Sequence, residues 1–560
     1  MRAAGVEPPV ALRAVAILVP LVACALFYLP TLTGGFLSDD YSVLGALYGW
    51  AHEQRLLAAL TAKFGEGLDA PSHYYRPLAM LSFAANFALS GANPLPWRVT
   101  NLFFHLASGA LVFAIAREVV PRKNSKLPLI APMFAAAVFL LFPTNVEAVA
   151  WVSGRYDVMA LAGMLASVAC FQRMRRWSDG WGATALLTAV LALASKESAG
   201  LLPAFVLAIA IGRHWPEGAR RAFGSGVRDA SPWLALGLGY FVLRTAIFGT
   251  PFRVYPDSSP LQVLLSGDWL KPLASSGAWL DAAMPLPLAR TALLAALVVL
   301  IAMGAFASCH DTKVRGGWLA IALSAVLSIV LLLPHVAVLS SNGEQGRLFY
   351  TTSALLGLLV ALPWCAPIAG PVPVVGRGLI AVATLMLIIA EAALLQPVVR
   401  RWADAGTQAK MLVSALARTS RAIPPTGYGL VLVPDHLGNV PFARNAQGGL
   451  VSPPSQPAPL SQRLIVQTPA DLPSWPEHIE RGLVDALQRF PLSEVWNVMA
   501  QRKSAVNRAP SHYFCWNADT RELVSMQWPA EIATRDWIAA WQGALAQSRC
   551  DASASEIAEL

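Results

Sequence analysis

Residues 12–30 read LRAVAILVPLVACALFYLP, a run of 19 residues with a single charge, Arg13, close to its start. An α-helix rises 1.5 Å per residue, so a run of this length can cross the ~30 Å hydrocarbon core of a bilayer. Two adjacent acids, Asp39 and Asp40, follow in the sequence FLSDDYSVL at 36–44. The run therefore predicts a first membrane-spanning helix with a pair of carboxylates just beyond it.

The composition of the whole chain is that of a membrane protein. Its 560 residues have a mean hydropathy of +0.51, and 56% are hydrophobic while only 13% are charged. A soluble domain of this size would have too little polar surface. The net charge of +9 comes from Lys and Arg in short clusters between apolar runs, a pattern that sets topology. We therefore expect contact with membrane lipids and no nucleic acid.

About eleven apolar stretches are long enough to be candidate spans, although two of them, 129–143 and 181–195, are short. The predicted fold is a polytopic α-helical membrane protein with about 11 transmembrane helices, outer-face amphipathic helices and a small C-terminal soluble domain. The predicted spans are 12–30, 98–117, 129–143, 156–172, 181–195, 198–212, 231–248, 290–308, 317–334, 352–366 and 378–396.

The basic residues set the orientation, because cytoplasmic loops carry an excess of Lys and Arg. With a cytoplasmic N-terminus, every short inside loop is basic, and an odd number of spans leaves the C-terminal segment outside. We therefore expect an integral membrane protein with a cytoplasmic N-terminus and a C-terminal domain outside the cytoplasm, which in a bacterial inner membrane is the periplasm. The inside loops would contain Arg117, Arg122, Lys123, Lys126, Arg173, Arg175, Arg176, Arg213, Arg220, Arg221, Arg228, Lys313, Arg315 and Arg377.

The tail predicts a separate α/β or α+β domain, so the domain boundaries are expected at 1–397 and 398–560. The tail is rich in Pro and polar residues but keeps strand-like and helical patterns. Two of its cysteines, Cys515 and Cys550, lie in a compartment where a disulfide is permitted. The strand-like runs are 429–433, 463–467 and 512–516, and the helical patterns are 477–490 and 530–547.

Ionisable residues recur in the short segments that this topology places on the outer face. The segments at 142–157, 194–203 and 340–350 are too short to be domains and too charged to be simple turns. Ionisable groups at this depth are costly unless they are paired or lie in a wet cavity, so they are candidate functional residues. The candidates are Glu147, Arg155, Asp157, Lys196, Glu197, Glu344 and Arg347.

Each candidate also has a purely structural explanation. Lys196 and Glu197 fit an interfacial ion pair, and Arg155 and Asp157 fit a pair that caps a helix. These structural explanations stay open, but the occurrence of so many charges on the outer face of the membrane favours a functional site.

Two further groups are equally open to a structural explanation. Asp39 and Asp40 fit a solvated N-cap. Arg98, Asn101 and His105 fall at i, i+3 and i+7 on one helical face, a pattern typical of interhelical hydrogen bonds as well as of a site.

Five segments, in order, resemble the C-type glycosyltransferase superfamily, in particular the membrane part of the transmembrane and tetratricopeptide-repeat O-mannosyltransferases and their bacterial relatives. The resemblance covers roughly residues 12–396. The tail lacks the helical repeats of the eukaryotic branch, so the acceptor of that branch is not carried over. The segments read FLSDDYSVL, YYRPLAMLSFAANFALSGANPLPWRVTNLFFHLASG, FPTNVEAVAWVSGRYD, ASKESAGLLP and EQGRLFYTTS.

The resemblance implies an inverting transfer, on the outer face, from a polyprenyl-phosphate sugar to a hydroxyl of a protein, glycan or lipid. An acid of the first outer loop would be the base, with Asp40 favoured and Asp39 orienting it or the acceptor. Arg155, Lys196 and Arg347 would bind the donor phosphate.

Other residues would support these roles. Arg76 would start an amphipathic helix on the outer surface and border the lipid entrance. The substrate-binding or supporting residues would be Glu147, Asp157, Glu197, Arg76, His105 and Asn101.

No cofactor is expected, because cationic side chains can neutralise a lipid monophosphate; the alternative is a divalent metal held by Asp39 and Asp40. The outer segment 249–289 is expected to form interfacial helices over the site.

Three other functions remain open: a polysaccharide polymerase or ligase, a transporter or flippase, and a non-catalytic scaffold. A transporter would place polar residues and broken helices near the bilayer midplane, often in two related halves, and neither feature is evident here. Neither the sugar nor the acceptor follows from the sequence.

Overall fold

A computed structural model describes most of the chain, which divides into two compact units. The first comprises Met1–Pro30, His73–Met80 and Arg98–Arg400, and the second comprises Thr31–Ser72, Leu81–Trp97 and Arg401–Leu560. The predicted domain boundary at 397/398 stays a prediction. The residues described are 9–61, 74–119, 129–249, 271–310, 312–330, 343–365, 374–468, 512–526 and 550.

Helices dominate the described residues. Short 3₁₀ turns connect several of them, and the last long helix contributes residues to both compact units. The helices are α1 (Val10–Tyr28), α2 (Asp40–His52), α3 (Pro77–Ser90), α4 (Pro94–Val119), α5 (Ile130–Leu141), α6 (Asn145–Ala150), α7 (Arg155–Arg173), α8 (Gly180–Leu193), α9 (Leu202–His214), α10 (Ala219–Phe248), α11 (Lys271–Ala283), α12 (Pro287–His310), α13 (Thr312–Val330), α14 (Tyr350–Ala361), α15 (Val374–Ala422) and α16 (Gln447–Leu450).

Seven of the described helices are long and apolar enough to cross a membrane, which confirms the predicted polytopic helical fold. The predicted number of eleven spans stays a prediction, and the two short candidates form α5 and α8, of 12 and 14 residues. The seven are Val10–Thr33, Pro94–Val119, Glu197–Glu217, Ala219–Phe248, Pro287–Cys309, Gly346–Trp364 and Gly376–Ala422.

Close backbone approach holds part of the first unit together. Helix α9 packs against α10 and α13. At the α9–α13 crossing, a Cβ added to Gly316 would lie 2.2 Å from the carbonyl oxygen of Gly212. Lipid tails are as apolar as the side chains, so helices in a membrane associate through tight packing at small residues. The two glycines therefore set the distance between these helices.

The predicted outer segment at 249–289 is described only in part. Residues 250–270 lie outside the described residues, and Lys271–Ala283 forms α11. Trp279 of α11 donates a hydrogen bond from its indole nitrogen to the carbonyl oxygen of Glu344, at 2.6 Å. This bond joins α11 to one of the predicted charged segments.

The second unit contains the predicted small C-terminal sheet. Four strands run in the order β4-β1-β5-β6, with β1 parallel to both β4 and β5, and β5 antiparallel to β6. Cys515 and Cys550 form a disulfide. The predicted helices at 477–490 and 530–547 lie outside the described residues. The strands are β1 (Gly429–Leu432), β2 (His436–Leu437), β3 (Val440–Pro441), β4 (Leu464–Gln467), β5 (His512–Asn517) and β6 (Glu522–Met526).

The substitution Gly316→Ala tests the α9–α13 contact. We expect it to destabilise the protein by about 1–3 kcal/mol, because the methyl group would meet backbone that must move away. Thermal unfolding of the purified protein in detergent measures the change. The control is Gly239→Ala in α10, where a Cβ would meet no atom within 4 Å. Equal melting temperatures for the two variants would contradict the tight crossing.

Candidate functional site

The predicted site residues lie in both compact units. The charged residues of the outer segments belong to the first unit, whereas Asp39 and Asp40 belong to the second.

The segment after α5 and the first turn of α7 carry three of the candidates, Glu147, Arg155 and Asp157. After α5 the chain forms α6, then a 3₁₀ turn at Val152–Gly154, and α7 begins at Arg155. A Cβ on Gly154 would lie 2.4 Å from the carbonyl oxygen of Ala148, so the turn requires glycine there. The turn places Glu147 on the short helix α6 and Arg155 at the start of α7.

Helix α4 holds this segment from one side. Arg98 donates from Nε to the carbonyl oxygen of Ala150 at 3.1 Å, and Asn101 donates from Nδ2 to that of Trp151 at 2.7 Å. Arg155 is fully buried and donates from Nε to Oδ1 of Asn101 at 2.9 Å. The Arg155 contact thus supports the loop. Its predicted contact with a donor phosphate stays a prediction.

His105 connects three helices. Its Nε2 lies 3.2 Å from the carbonyl oxygen of Leu140, and its Nδ1 lies 2.7 Å from the hydroxyl of Tyr350. A carbonyl only accepts, so Nε2 carries the hydrogen and Nδ1 accepts from Tyr350. His105 is fully buried. Its two contacts join α4 to α5 and α14, as expected for interhelical hydrogen bonds.

Three ion pairs join the charged segments of the first unit. Lys196 pairs with Asp157. Arg76 binds Glu197 through two nitrogens, with Nη2 2.8 Å and Nε 3.1 Å from Oε2.

Arg347 completes the set, with Nη1 3.3 Å from Oε1 of Glu147. Each pair connects different segments, so neither the local Lys196–Glu197 pair nor the local Arg155–Asp157 pair is the one observed. We call the three pairs the ion-pair cluster.

The cations of the cluster lie close enough to influence one another. Burial lowers the pKa of Lys196, Asp157 opposes this effect, and the positive charges of Arg76 and Arg347 lower the pKa further. The side chains of Lys196 and Arg347 are 15% and 21% exposed, so solvent reaches both. These two are the more exposed cations of the cluster, since the side chain of Arg76 is only 10% exposed.

Aromatic rings support the arginines of the cluster. The guanidinium of Arg76 lies 4.2 Å from the centre of the Tyr74 ring and 4.6 Å from that of Tyr156. That of Arg347 lies 4.4 Å from the ring of Trp151. Such stacking fixes a planar guanidinium and stabilises its charge where water is scarce.

The two carboxylates of the first loop are held differently. Asp40 is buried at the start of α2, and its Oδ2 accepts a hydrogen bond from the backbone nitrogen of Leu37 at 3.0 Å. Asp39 is half-buried, and its Oδ1 accepts from Nδ2 of Asn445 at 2.9 Å. Asp39 precedes α2 but makes no side-chain capping bond to it. The N-cap explanation therefore does not account for Asp39.

A C-terminal segment holds this loop within the second unit, and we call it the 442–445 clamp. Ser38 donates from its backbone nitrogen to the carbonyl oxygen of Phe442 at 2.8 Å and from its hydroxyl to that of Arg444 at 2.7 Å. The carbonyl oxygen of Asn445 accepts from the Ser42 hydroxyl at 2.9 Å. Sequence reasoning did not predict this clamp, because the two segments that it joins lie about 400 residues apart and no sequence pattern links them.

Two residues that the clamp brings together have an unusual backbone conformation. Ser38 and Asn445 have φ angles of +46° and +61°, in the left-handed region that few residues other than glycine adopt. Asparagine tolerates this region better than most residues, so Asn445 suits both its backbone and its amide contact. The conformation directs the amide of Asn445 to Asp39.

The expected metal independence stays a prediction. In the part of the chain that the structure describes, no group of three or more His, Cys, Asp or Glu residues could hold a metal ion. Asp39 and Asp40 each direct one oxygen at an N–H donor, so those two oxygens are engaged by hydrogen bonds.

Arg244 is a further charged residue that sequence reasoning did not assign to the site. Its Nη1 lies 3.9 Å from Oε1 of Glu197, the carboxylate that also pairs with Arg76. Its only sequence signal was a charge near the end of an apolar run. A single charge of that kind does not identify its partner.

The class defined by these observations is a polytopic helical membrane protein with a cluster of buried ion pairs at the helix ends. The chain is 35% identical over 179 residues to Protein O-mannosyl-transferase Tmtc1 of Drosophila melanogaster, which covers 31% of this chain and 20% of that protein. It is 33% identical over 196 residues to Tmtc2 of the same species, covering 32% and 20%, respectively. It thus spans about a fifth of the length of these relatives. The predicted resemblance to O-mannosyltransferases is confirmed.

No protein-family model matches the chain. Among solved structures, it is similar to ArnT from Cupriavidus metallidurans bound to undecaprenyl phosphate, with 11% identity and a TM-score of 0.41, over 77% of this chain and 84% of that one. The apo structure of ArnT gives 13% identity and a TM-score of 0.40, over 83% and 95%. No residue of this chain is assigned a role from that likeness.

The buried carboxyl of Glu147 gives the protein a predicted pH dependence. Burial raises its pKa from 4.5 to about 7, although Arg347 opposes the shift. Folding therefore favours the protonated form, and this stabilisation is complete below pH 4.5 and is lost as the pH rises through about 7. We expect the melting temperature of Glu147→Gln, relative to wild type, to increase between pH 5 and pH 8.

Glu53→Gln is the control for this pH series, because the Glu53 side chain is 57% exposed and pairs with Arg55 at the surface. Its melting temperature relative to wild type should not change over the same range. A Glu147→Gln difference that stays constant with pH would contradict the proposed cost of ionising Glu147.

Proposed function

We propose that the protein is a glycosyltransferase that moves a sugar from a polyprenyl-phosphate donor to an acceptor hydroxyl at the outer face of a bacterial inner membrane. The observation that carries the proposal is the ion-pair cluster, in a chain similar to O-mannosyltransferases. Two cations of this cluster, Lys196 and Arg347, are partly exposed and have carboxylate partners that a phosphate can replace.

The donor phosphate would bind to Lys196 and Arg347. When the acceptor oxygen attacks the anomeric carbon, the bond from that carbon to the phosphate oxygen breaks, and its electron pair moves onto the phosphate. The leaving group therefore gains negative charge, which preorganised cations stabilise more strongly in a low-dielectric site than in water. Attack opposite the phosphate inverts the anomeric centre.

The acceptor hydroxyl must lose a proton as it attacks, and a first-loop carboxylate would take it. Asp40 is the predicted base, and its position is fixed by its bond to Leu37. Asp39 is the more accessible of the two and would orient the acceptor. Because the clamp fixes the carboxylate of Asp39, little reorganisation is needed when the acceptor binds.

The proposed location has independent support. A disulfide between Cys515 and Cys550 forms in an oxidising compartment, such as the bacterial periplasm. This agrees with a C-terminal unit outside the cytoplasm, which is also where the positions of the basic loops place it. The acceptor would be a protein, a glycan or a lipid that reaches this side of the membrane.

Donor turnover tests the function and its base. Purified protein in lipid is incubated with a panel of undecaprenyl-phosphate sugars and envelope extract as acceptor source, and mass spectrometry follows loss of donor. We expect turnover of at least one donor by wild type, and a reduction of about 10²–10⁴-fold in Asp40→Asn. Asp39→Asn should also lose activity.

The matched control is Glu53→Gln, which makes the same change from acid to amide at the end of α2. It should turn over donor at the wild-type rate. Full activity in both folded aspartate variants would exclude a first-loop base, and would favour a polymerase or ligase if donor is still consumed.

Asn445→Gly tests the clamp. Glycine permits the φ of +61° at this position and removes only the amide that contacts Asp39. We expect donor turnover between that of wild type and that of Asp39→Asn, with an unchanged melting temperature. A folded Asn445→Gly protein with the wild-type rate would show that the contact with Asp39 does not contribute to activity.

A further inference from the structure

A cavity of about 420 Å³ in the first unit has no part in the proposed transfer reaction. Its wall includes four arginines, Arg175, Arg176, Arg213 and Arg228, with Trp177 and Asp229 beside them. We call it the arginine cavity.

The arginine cavity lies at the ends of the helices opposite the ion-pair cluster. Helix α7 begins at Arg155, next to the cluster, and ends at Arg173, just before the cavity residues. Its 19 residues span about 28 Å. Helix α9 likewise begins after the segment with Lys196 and ends at His214, next to Arg213 of the cavity. The cavity therefore belongs to the other face of the membrane.

Positive charge exceeds negative charge in the cavity. Arg228 lies 3.6 Å from Asp229, the only acid in the cavity wall among the residues that the structure describes. Arg213 donates to the carbonyl oxygen of Phe171 at 3.2 Å, a neutral partner, and shares the negative charge of Asp229 with Arg228. The side chains of Arg175 and Arg176 form no ion pair with any described residue. An anion in the cavity would relieve the repulsion among these groups.

The loop that carries Arg175 and Arg176 is already ordered. Asp179 accepts hydrogen bonds from the backbone nitrogens of Arg175 at 2.7 Å and Arg176 at 3.2 Å, and also from that of Gly182 at 2.7 Å. These bonds hold the loop against the start of α8. A site formed before its ligand arrives loses less conformational entropy on binding.

Tryptophans place the cavity at the level of the lipid headgroups. Trp177 and Trp181 are 46% and 50% exposed, and the guanidinium of Arg173 lies 5.5 Å from the ring of Trp181. Exposed Trp beside Arg at helix ends is typical of the membrane–water interface. Basic cavities between membrane helices at this level suit the headgroups of anionic lipids.

We propose that the arginine cavity binds the phosphate headgroup of an anionic membrane phospholipid. The planar guanidinium groups of Arg175 and Arg176 supply paired N–H donors for the phosphate oxygens. Arg213 and Arg228 add positive charge from α9 and α10. The bound lipid would connect the loop after α7 with the end of α9 and with α10.

Lipid titration of the full-length protein in neutral detergent tests the proposal. Phosphatidylglycerol, phosphatidylcholine and inorganic phosphate are added separately, and native mass spectrometry and thermal unfolding report binding. We expect phosphatidylglycerol alone to bind and to raise the melting temperature of wild type. Arg175→Gln/Arg176→Gln should weaken this binding roughly 30-fold.

The matched control is Arg220→Gln/Arg221→Gln, which removes the same charge near the start of α10 but outside the cavity wall. It should bind phosphatidylglycerol like wild type. If the first double variant does not fold, Ser178→Glu replaces it, because an added carboxylate in the cavity wall should also repel the headgroup.

Three results would overturn the proposal. Equal lipid binding by wild type and a folded cavity variant would exclude the arginine cavity. An equal loss in the Arg220→Gln/Arg221→Gln control would show an effect of overall charge. Binding of inorganic phosphate as tight as that of phosphatidylglycerol would identify a free anion site rather than a lipid site.

Discussion

Charge near the hydrocarbon of a membrane is costly unless it is paired or hydrated, and the ion-pair cluster of the first unit pairs three such cations. Breaking such a pair by removing one partner typically costs about 3–5 kcal/mol, because the remaining charge stays buried and uncompensated. Each pair joins segments far apart in sequence, for example Arg76 before α3 with Glu197 before α9. The pairs therefore fix the helix ends relative to one another within this unit.

Under the proposed function, the same pairs would also prepare the cluster for the reaction. A cation held by a carboxylate is already oriented, so a phosphate would take the place of the carboxylate without a large rearrangement. Partial exposure would limit the proposed exchange to Lys196 and Arg347, whereas Arg155 is enclosed by its contacts with α4. One segment of charged residues thus contains both ligand-accessible and supporting groups, which differ mainly in burial.

Sequence reasoning located the charged residues but assigned their contacts incompletely. It considered pairs between neighbours, such as Lys196 with Glu197, because local spacing is all that a single sequence displays. The structure instead pairs Lys196 with Asp157, 39 residues away. It also joins Asp39 to Asn445 across 406 residues. Such contacts depend on how the helices and loops pack, and no short-range pattern records this packing.

The sequence by itself determined the membrane class, the helical fold and the segments that carry the charged residues. These properties depend on hydropathy and charge along the chain, and the cost of transferring each segment into lipid is local. Only the tertiary structure decided which acid neutralises each cation, which carboxylate of the first loop is buried, and that four arginines from three segments surround one cavity. These features require residues distant in sequence to come into contact. Such contacts depend on how whole helices and loops pack together, and not on the conformational preference of any single segment.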